Sequence, residues 1–172
     1  LADALNGLDQ GCAMFDEDGR LVVCNDRFSE LNAPVREFIS PGVYFETLLR
    51  EMTRRRLIRQ ALGREGTWIE QILGIADADG TFELERVDGQ TTTVSIRATS
   101  QGGFIVSEMD ITAQRKAERS AKSSEQMLST ILQASPANLC MSQIGDGEII
   151  YQSPSCAALF GPIGSAREQF AD

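Results

Sequence analysis

The 172-residue sequence contains no histidine. An imidazole-ligated haem is thereby excluded, the commonest transition-metal ligand is missing, and neither a Ser-His-Asp nor a Cys-His catalytic set can be assembled. Aromatic side chains are scarce, at 6% with one tryptophan and two tyrosines. No apolar run approaches the roughly 18 to 20 residues of a membrane-spanning helix, and the N-terminus lacks the basic-then-apolar layout of a secretory signal. A soluble chain with no direct membrane span is the expectation. Phosphate-cradling motifs are absent too: there is neither a Gly-x-x-x-x-Gly-Lys nor a Gly-x-Gly-x-x-Gly followed by a helix. No catalytic residue and no metal ligand is therefore expected.

Positive charge is the minority sign, 16 Lys and Arg against 25 Asp and Glu, for a net charge of -9. Such a body repels polyphosphate. The one dense basic run, Arg54-Arg55-Arg56 with Arg59, lies in a helical pattern without interleaved aromatics, so no nucleic-acid partner is expected. The four cysteines, Cys12, Cys24, Cys140 and Cys156, are widely spaced among apolar neighbours. That spacing fits neither a zinc cluster nor a dense disulfide framework, and predicts buried free thiols in a reducing, cytoplasmic setting. The carboxylate pairs Asp16/Asp18 and Asp77/Asp79 stand beside glycine and read as turn chemistry rather than acid–base or cation sites.

What is present is a pattern of short strands and helices. Two apolar runs flank Asp16-Glu17-Asp18-Gly19, a β-hairpin, and Asn25 then caps a short helix carrying Phe28 and Leu31 that Pro34 interrupts. Phe45, Leu48, Leu49 and Met52 recur at helical spacing and predict the longest helix of this part; Trp68, Ile69, Ile72 and Leu73 predict another, closing near Gly80. Three strands follow, carrying Phe82 and Leu84, then Val94 and Ile96, then Phe104, Val106 and Met109, with turns at Val87-Asp88-Gly89-Gln90 and Gln101-Gly102-Gly103. The implied class is α+β: a five-stranded antiparallel sheet with helices on one face. Val94, Ile96, Phe104 and Val106 are expected in its core.

From Thr112 to Ser135 there is neither proline nor glycine, and Ala117, Ala121, Ser124, Leu128 and Ile131 recur at steps of four and three. This predicts a long linker helix with a short heptad seam, weak because alanine and serine bury little area. Past Ser135 the pattern restarts. At an offset of 128 residues, Gly19 to Asn25 is answered by Gly147 to Ser153, Leu31 by Leu159, and Cys12 by Cys140. Ser153-Pro154 supplies a helix start and Gly161 a stop. The apolar residues Leu139, Met141, Ile149, Tyr151, Leu159 and Phe160 of this tail need a covering surface from the first domain, a partner chain or a missing remainder. A chain that opens on Leu1 is expected to be a piece of something longer, with any output outside it.

The run from Phe15 to Leu31 resembles the first two strands and first helix of bacterial PAS domains, and Asp110-Ile111-Thr112 resembles the junction that joins a PAS domain's last strand to a signalling helix. The likeness covers residues 1 to 112 as a whole pattern and 136 to 161 as its first third. It implies a PAS domain at 1–111, a helical linker at 112–135 and the start of a second PAS domain at 136–172. Asp110 and Thr112 can each accept from free amides of the following turn, pinning strand end to helix start.

A PAS pocket would lie between sheet and middle helices, with Phe28, Leu48, Trp68 and Phe104 as lining candidates. The resemblance also limits cofactors. Photosensing PAS domains of the LOV class carry Asn-Cys-Arg-Phe-Leu-Gln, which does not occur here. Neither haem nor covalent flavin is expected, while a non-covalent small ligand stays open beside a fully packed core. The implied role is a sensory and dimerisation module, a homodimer through Ala117, Ala121, Leu128 and Ile131 and the PAS domain. Its effector would belong to the same polypeptide: a histidine kinase most often, or a nucleotide or diguanylate cyclase. A ligand-free interaction scaffold is the rival.

Overall fold

Asp16 makes the first reversal of the chain. Its carboxylate accepts from the backbone amides of Asp18 at 3.1 Å and Arg20 at 2.8 Å, and Gly19 takes the left-handed φ of 75° that such a turn favours. Strands β1 (Gly11–Phe15) and β2 (Leu21–Cys24) result. The computed structural model describes residues 7–100, 102–134, 139–143 and 149–161. Gln101, Ser135, Gly147 and Glu148, and the side chains of Asp77 and Phe160, lie outside the described set. The chain divides between Lys116 and Ala117 into two compact units.

In the first unit, Asn25 locks the hairpin to helix α1 (Asp26–Leu31). Its Oδ1 accepts from the amides of Phe28 at 2.9 Å and Cys12 at 2.8 Å, its Nδ2 donates to the Gln10 carbonyl at 2.9 Å, and its own amide donates to the Cys12 carbonyl at 3.0 Å. A 3₁₀ turn, Ala33–Phe38, follows with Pro34 at its start. Helix α2 (Phe45–Arg54) then buries Phe45, Leu48, Leu49 and Met52. It is not the longest helix of the unit: it has 10 residues, against 14 in α3 (Glu65–Ala78). The chain leaves α2 through Arg56, a non-glycine residue at φ 54°, whereas no proline interrupts α3 before Asp79 takes φ 56°.

Strands β3 (Gly80–Glu85), β4 (Thr91–Ala98) and β5 (Phe104–Asp110) complete an antiparallel sheet of order β2-β1-β5-β4-β3, so the last strand is the central one. Leu84, Val94, Ile96 and Val106 face Phe28, Leu48, Trp68, Ile69 and Ile72 across the core. Phe104 is only half-buried, and Met109 is 51% exposed while Glu108 takes the inward place. Strand alternation requires this, since Val106 and Glu108 share a face. Gly103 is fixed by close approach: a Cβ there would lie 2.1 Å from the Phe15 carbonyl oxygen. Within the basic run, Arg54 pairs with Glu51, Arg55 with Glu37 and Glu51, and Arg59 with Glu85. Helix α4 (Thr112–Ala134) leaves the sheet directly from β5.

In the second unit, β6 (Cys140–Ser142) pairs with β7 (Ile149–Gln152) ahead of helix α5 (Pro154–Phe160). Ser153 repeats the lock made by Asn25. Its Oγ accepts from Cys156 N at 3.2 Å and Leu139 N at 3.0 Å, and its own amide donates to the Leu139 carbonyl at 2.9 Å. Leu139 therefore stands where Cys12 does, an offset of 127, while Ser153 answers Asn25 at 128. The expected equivalence of Cys12 and Cys140 is off by one, because the second hairpin carries one more residue between its strands. The bulges agree, falling at Met14/Phe15 and at Met141/Ser142. All four cysteines are free, but only Cys12 and Cys156 are buried; Cys24 is half-buried and Cys140 exposed, since β6 has nothing over it among the described residues.

Asn25→Ala removes three side-chain hydrogen bonds and should cost the first unit about 2–4 kcal/mol, from a lost cap and a stranded buried amide. Asn25→Ser, the residue that does this work in the second unit, should recover more than half of that. Chemical denaturation measures both; equal losses would refute the equivalence of the two locks.

Candidate functional site

Between the sheet and helices α1 to α3 the packing leaves a cavity of about 30 Å³. Phe28, Leu48 and Trp68 line it, together with Met52, Val94 and Val106. Phe104 does not: its register pairs it with Phe15, and its ring stacks on Phe15 at 5.0 Å and meets Phe45 edge-on at 5.3 Å. The space suits a water molecule or two, far below the roughly 300 Å³ at which small-molecule pockets begin. Two polar residues interrupt its apolar wall, Asn32 and Glu108.

These two belong to a buried network. Glu108 accepts from Asn32 Nδ2 at 2.7 Å and from the Thr92 hydroxyl at 2.8 Å, while Arg86 Nη2 donates to Asn32 Oδ1 at 2.8 Å and stands 3.5 Å from Glu108 Oε1. Arg86, Asn32, Thr92 and Glu108 are all buried. A buried carboxylate is tolerated only when paired and hydrogen-bonded. The network escaped the sequence analysis, although alternation from Phe104 and Val106 places residue 108 inward, and from Ile96 and Val94 places residue 92 inward. Alternation from Phe82 and Leu84 likewise places residue 86 inward, and Asn32 follows Phe28 by one helical turn; what sequence spacing does not show is that these four polar residues meet.

Two residues beyond Glu108 the strand becomes a helix. Asp110 Oδ1 accepts from the Thr112 amide at 2.8 Å and Oδ2 from Gln90 Nε2 at 3.2 Å. The Thr112 hydroxyl reaches sideways rather than along its own helix: it accepts from the Thr91 amide at 2.9 Å and donates to the Thr91 carbonyl at 3.3 Å. Ile111 N donates to the same carbonyl at 2.9 Å, and Arg115 pairs with Glu83 on β3. The first turn of α4 is thus tied to both β4 and β3. Burial alone would raise the Asp110 carboxyl, but the hydroxyl and amide of Thr112, the Gln90 amide and the charge of Arg27 outweigh it and hold it below the usual aspartate value.

The rest of α4 carries no fully buried side chain. Ala117 and Ala121 are exposed, as are Leu128 at 61% and Ile131 at 55%. Among the described residues no helix is long and apolar enough to cross a membrane, and no group of three or more His, Cys, Asp or Glu could hold a metal ion.

A family model described as PAS fold matches residues 5–119, well over half of the chain. The non-motile and phage-resistance protein of Caulobacter vibrioides is 27% identical over 129 residues, which cover 74% of this chain. This chain spans only 14% of that relative's length. Among solved structures, the sensor region of a sensor histidine kinase is 16% identical, with 61% of this chain and 40% of that one covered at a TM-score of 0.44. The PAS domain from Bordetella pertussis BvgS is also 16% identical, with 73% and 94% covered at a TM-score of 0.41.

Because the folded Asp110 carboxyl titrates below its unfolded value, its stabilisation is present above the unfolded pKa and is lost as pH falls through the folded one. Asp110→Asn should melt below the wild type near neutral pH, and the gap should close as the pH drops below about 4. Thermal melts across that range decide it; a gap that persists in acid would point to lost geometry rather than lost charge.

Proposed function

This chain belongs to the PAS fold family, and on that premise we propose that it is the sensory and dimerisation module of a bacterial signal-transduction protein. The observation that carries this reading is the clamp at Asp110, Ile111 and Thr112. It leads the central strand of the sheet into a 23-residue helix with an exposed apolar seam. A displacement of β5 has no slack to be lost in before it reaches α4. Ala117, Ala121, Leu128 and Ile131, spaced as a heptad seam, form the homodimer contact along α4. The domain layout follows: a PAS domain at 1–111, a signalling linker at 112–135, and the opening of a second PAS domain at 136–172, which the repeated cap-and-hairpin lock at Ser153 supports.

The effector belongs to the same polypeptide and is a histidine kinase, with a nucleotide or diguanylate cyclase as the alternative output. The module is cytoplasmic, takes no haem or covalent flavin, and binds no nucleic acid. One observation favours a second reading, a ligand-free interaction scaffold: the core cavity of about 30 Å³ leaves no room for an organic cofactor in this conformation. Native mass spectrometry separates the two, since a stoichiometric small molecule in the purified chain supports sensing.

Replacing both Leu128 and Ile131 with Glu sets like charges face to face in a seam already poor in apolar area. The dimer should be lost while the first unit stays folded, because neither side chain contributes to its core. Light scattering with circular dichroism reads this out; an unchanged mass would remove the seam from the proposal.

A further inference from the structure

An ion pair buried in a protein core ordinarily closes as a fork, two guanidinium nitrogens on two carboxylate oxygens. The Arg86–Glu108 pair does not. The nearest approach of Arg86 Nη2 to Glu108 Oε1 is 3.5 Å, and the amide of Asn32 bridges the two from alongside: its Oδ1 accepts from Nη2 at 2.8 Å and its Nδ2 donates to Oε2 at 2.7 Å, so Nη2 and the carboxylate each spend a bond on Asn32 rather than on one another. Nε and Nη1 of Arg86 are buried and reach no protein acceptor. The guanidinium side of the pair is therefore held at one nitrogen, Nη2, while its other two nitrogens are buried without a protein acceptor.

Asn32 is itself attached to what lies around the cavity. It follows α1, its Nδ2 also donates to the Phe28 carbonyl at 3.0 Å, and Phe28, Asn32 and Glu108 line the same space. On the other side, Glu108 precedes Asp110 by two residues on the central strand. We propose that Asn32 is a removable wedge in the Arg86–Glu108 pair. With the wedge in place the pair stands apart, as described. When a cavity occupant or a shift of α1 withdraws it, Arg86 closes on Glu108 as a fork and displaces β5 just ahead of its exit into α4. Two discrete arrangements of one buried network are what a switch requires, and any ligand that moves Asn32 has a differential interaction with the two. This inference rests on the reading of the Asp110–Thr112 junction as the signal exit.

The test uses the full chain with Asn32→Ala, Glu108→Gln and the double variant, followed by NMR of the Arg86 Nε–H and by amide exchange at Ile111. In Asn32→Ala the Nε–H resonance should move downfield and exchange more slowly, and Ile111 exchange should change severalfold. In the Glu108→Gln background, Asn32→Ala should leave both signals unmoved. An unmoved Nε–H in the single variant overturns the wedge. An Ile111 response that survives Glu108→Gln, or that fails to accompany the Arg86 shift, overturns the coupling to the exit. Should Asn32→Ala not fold, Asn32→Ser, too short to span both partners, carries the same readouts. A wild-type chain that proved monomeric would sink the functional reading while leaving the Arg86 result intact.

Discussion

Burying a carboxylate in the central strand is the constraint around which the first unit is arranged. The effective penalty for taking an ion out of water is several kcal/mol, and Glu108 offsets it only by meeting Thr92, Asn32 and Arg86 together. Those partners come from β4, from the residue that ends α1 and from the residue following β3. The partners of the charge thus stand at the end of α1, just past the end of β3 and at the start of β4. Thr92 adjoins Thr91, whose backbone holds Ile111 and Thr112. Core network and exit clamp consequently share one short stretch of β4.

The second recurring device is the lock between a helix cap and the first strand of its hairpin. In both units one side-chain oxygen accepts from the amide three residues on and from an amide of the first strand (Cys12) or of the residue just before it (Leu139), while the cap's own amide returns a bond to the carbonyl of that same residue. Asn25 and Ser153 do this with different side chains, and the partner strands are out of step by one residue. Hydrogen-bond geometry is kept while residue identity and loop length drift. An identity match between Cys12 and Cys140 is therefore a poor guide to equivalence, and the cap is a better one.

Much of the fold is written in local patterns. Alternation at Val94, Ile96 and Val106, the Asp16 turn, the Asn25 and Ser153 caps and the unbroken run after Thr112 each encode a short-range preference that the tertiary structure keeps. Helix length was less legible, because α2 is ended by Arg56 and α3 by Asp79, two non-glycine residues in left-handed conformations. Of the cavity, Phe28, Leu48 and Trp68 follow from helical spacing, whereas Phe104 is turned aside by pairing with Phe15 across β1 and β5. The buried polar residues were the hardest to see. A charged residue on an inward phase reads as a break in the pattern until its partner, 22 residues away in the case of Arg86 and Glu108, is brought alongside.

The mechanical consequence lies in how α4 is attached. Its first turn is held at two points, to β4 by Thr112 and to β3 by Arg115. Beyond them none of its side chains is buried. A 23-residue helix is roughly 35 Å long at 1.5 Å per residue, and Leu128 and Ile131 stand about four turns or more beyond Thr112. An isolated helix with an exposed apolar stripe gains little stability from its own propensity, and most of what steadies the far end must come from whatever covers that stripe. Under the proposed function, a seam of alanine, serine, one leucine and one isoleucine buries little area, and a core rearrangement that reaches the clamped first turn would have only that weak contact to oppose it.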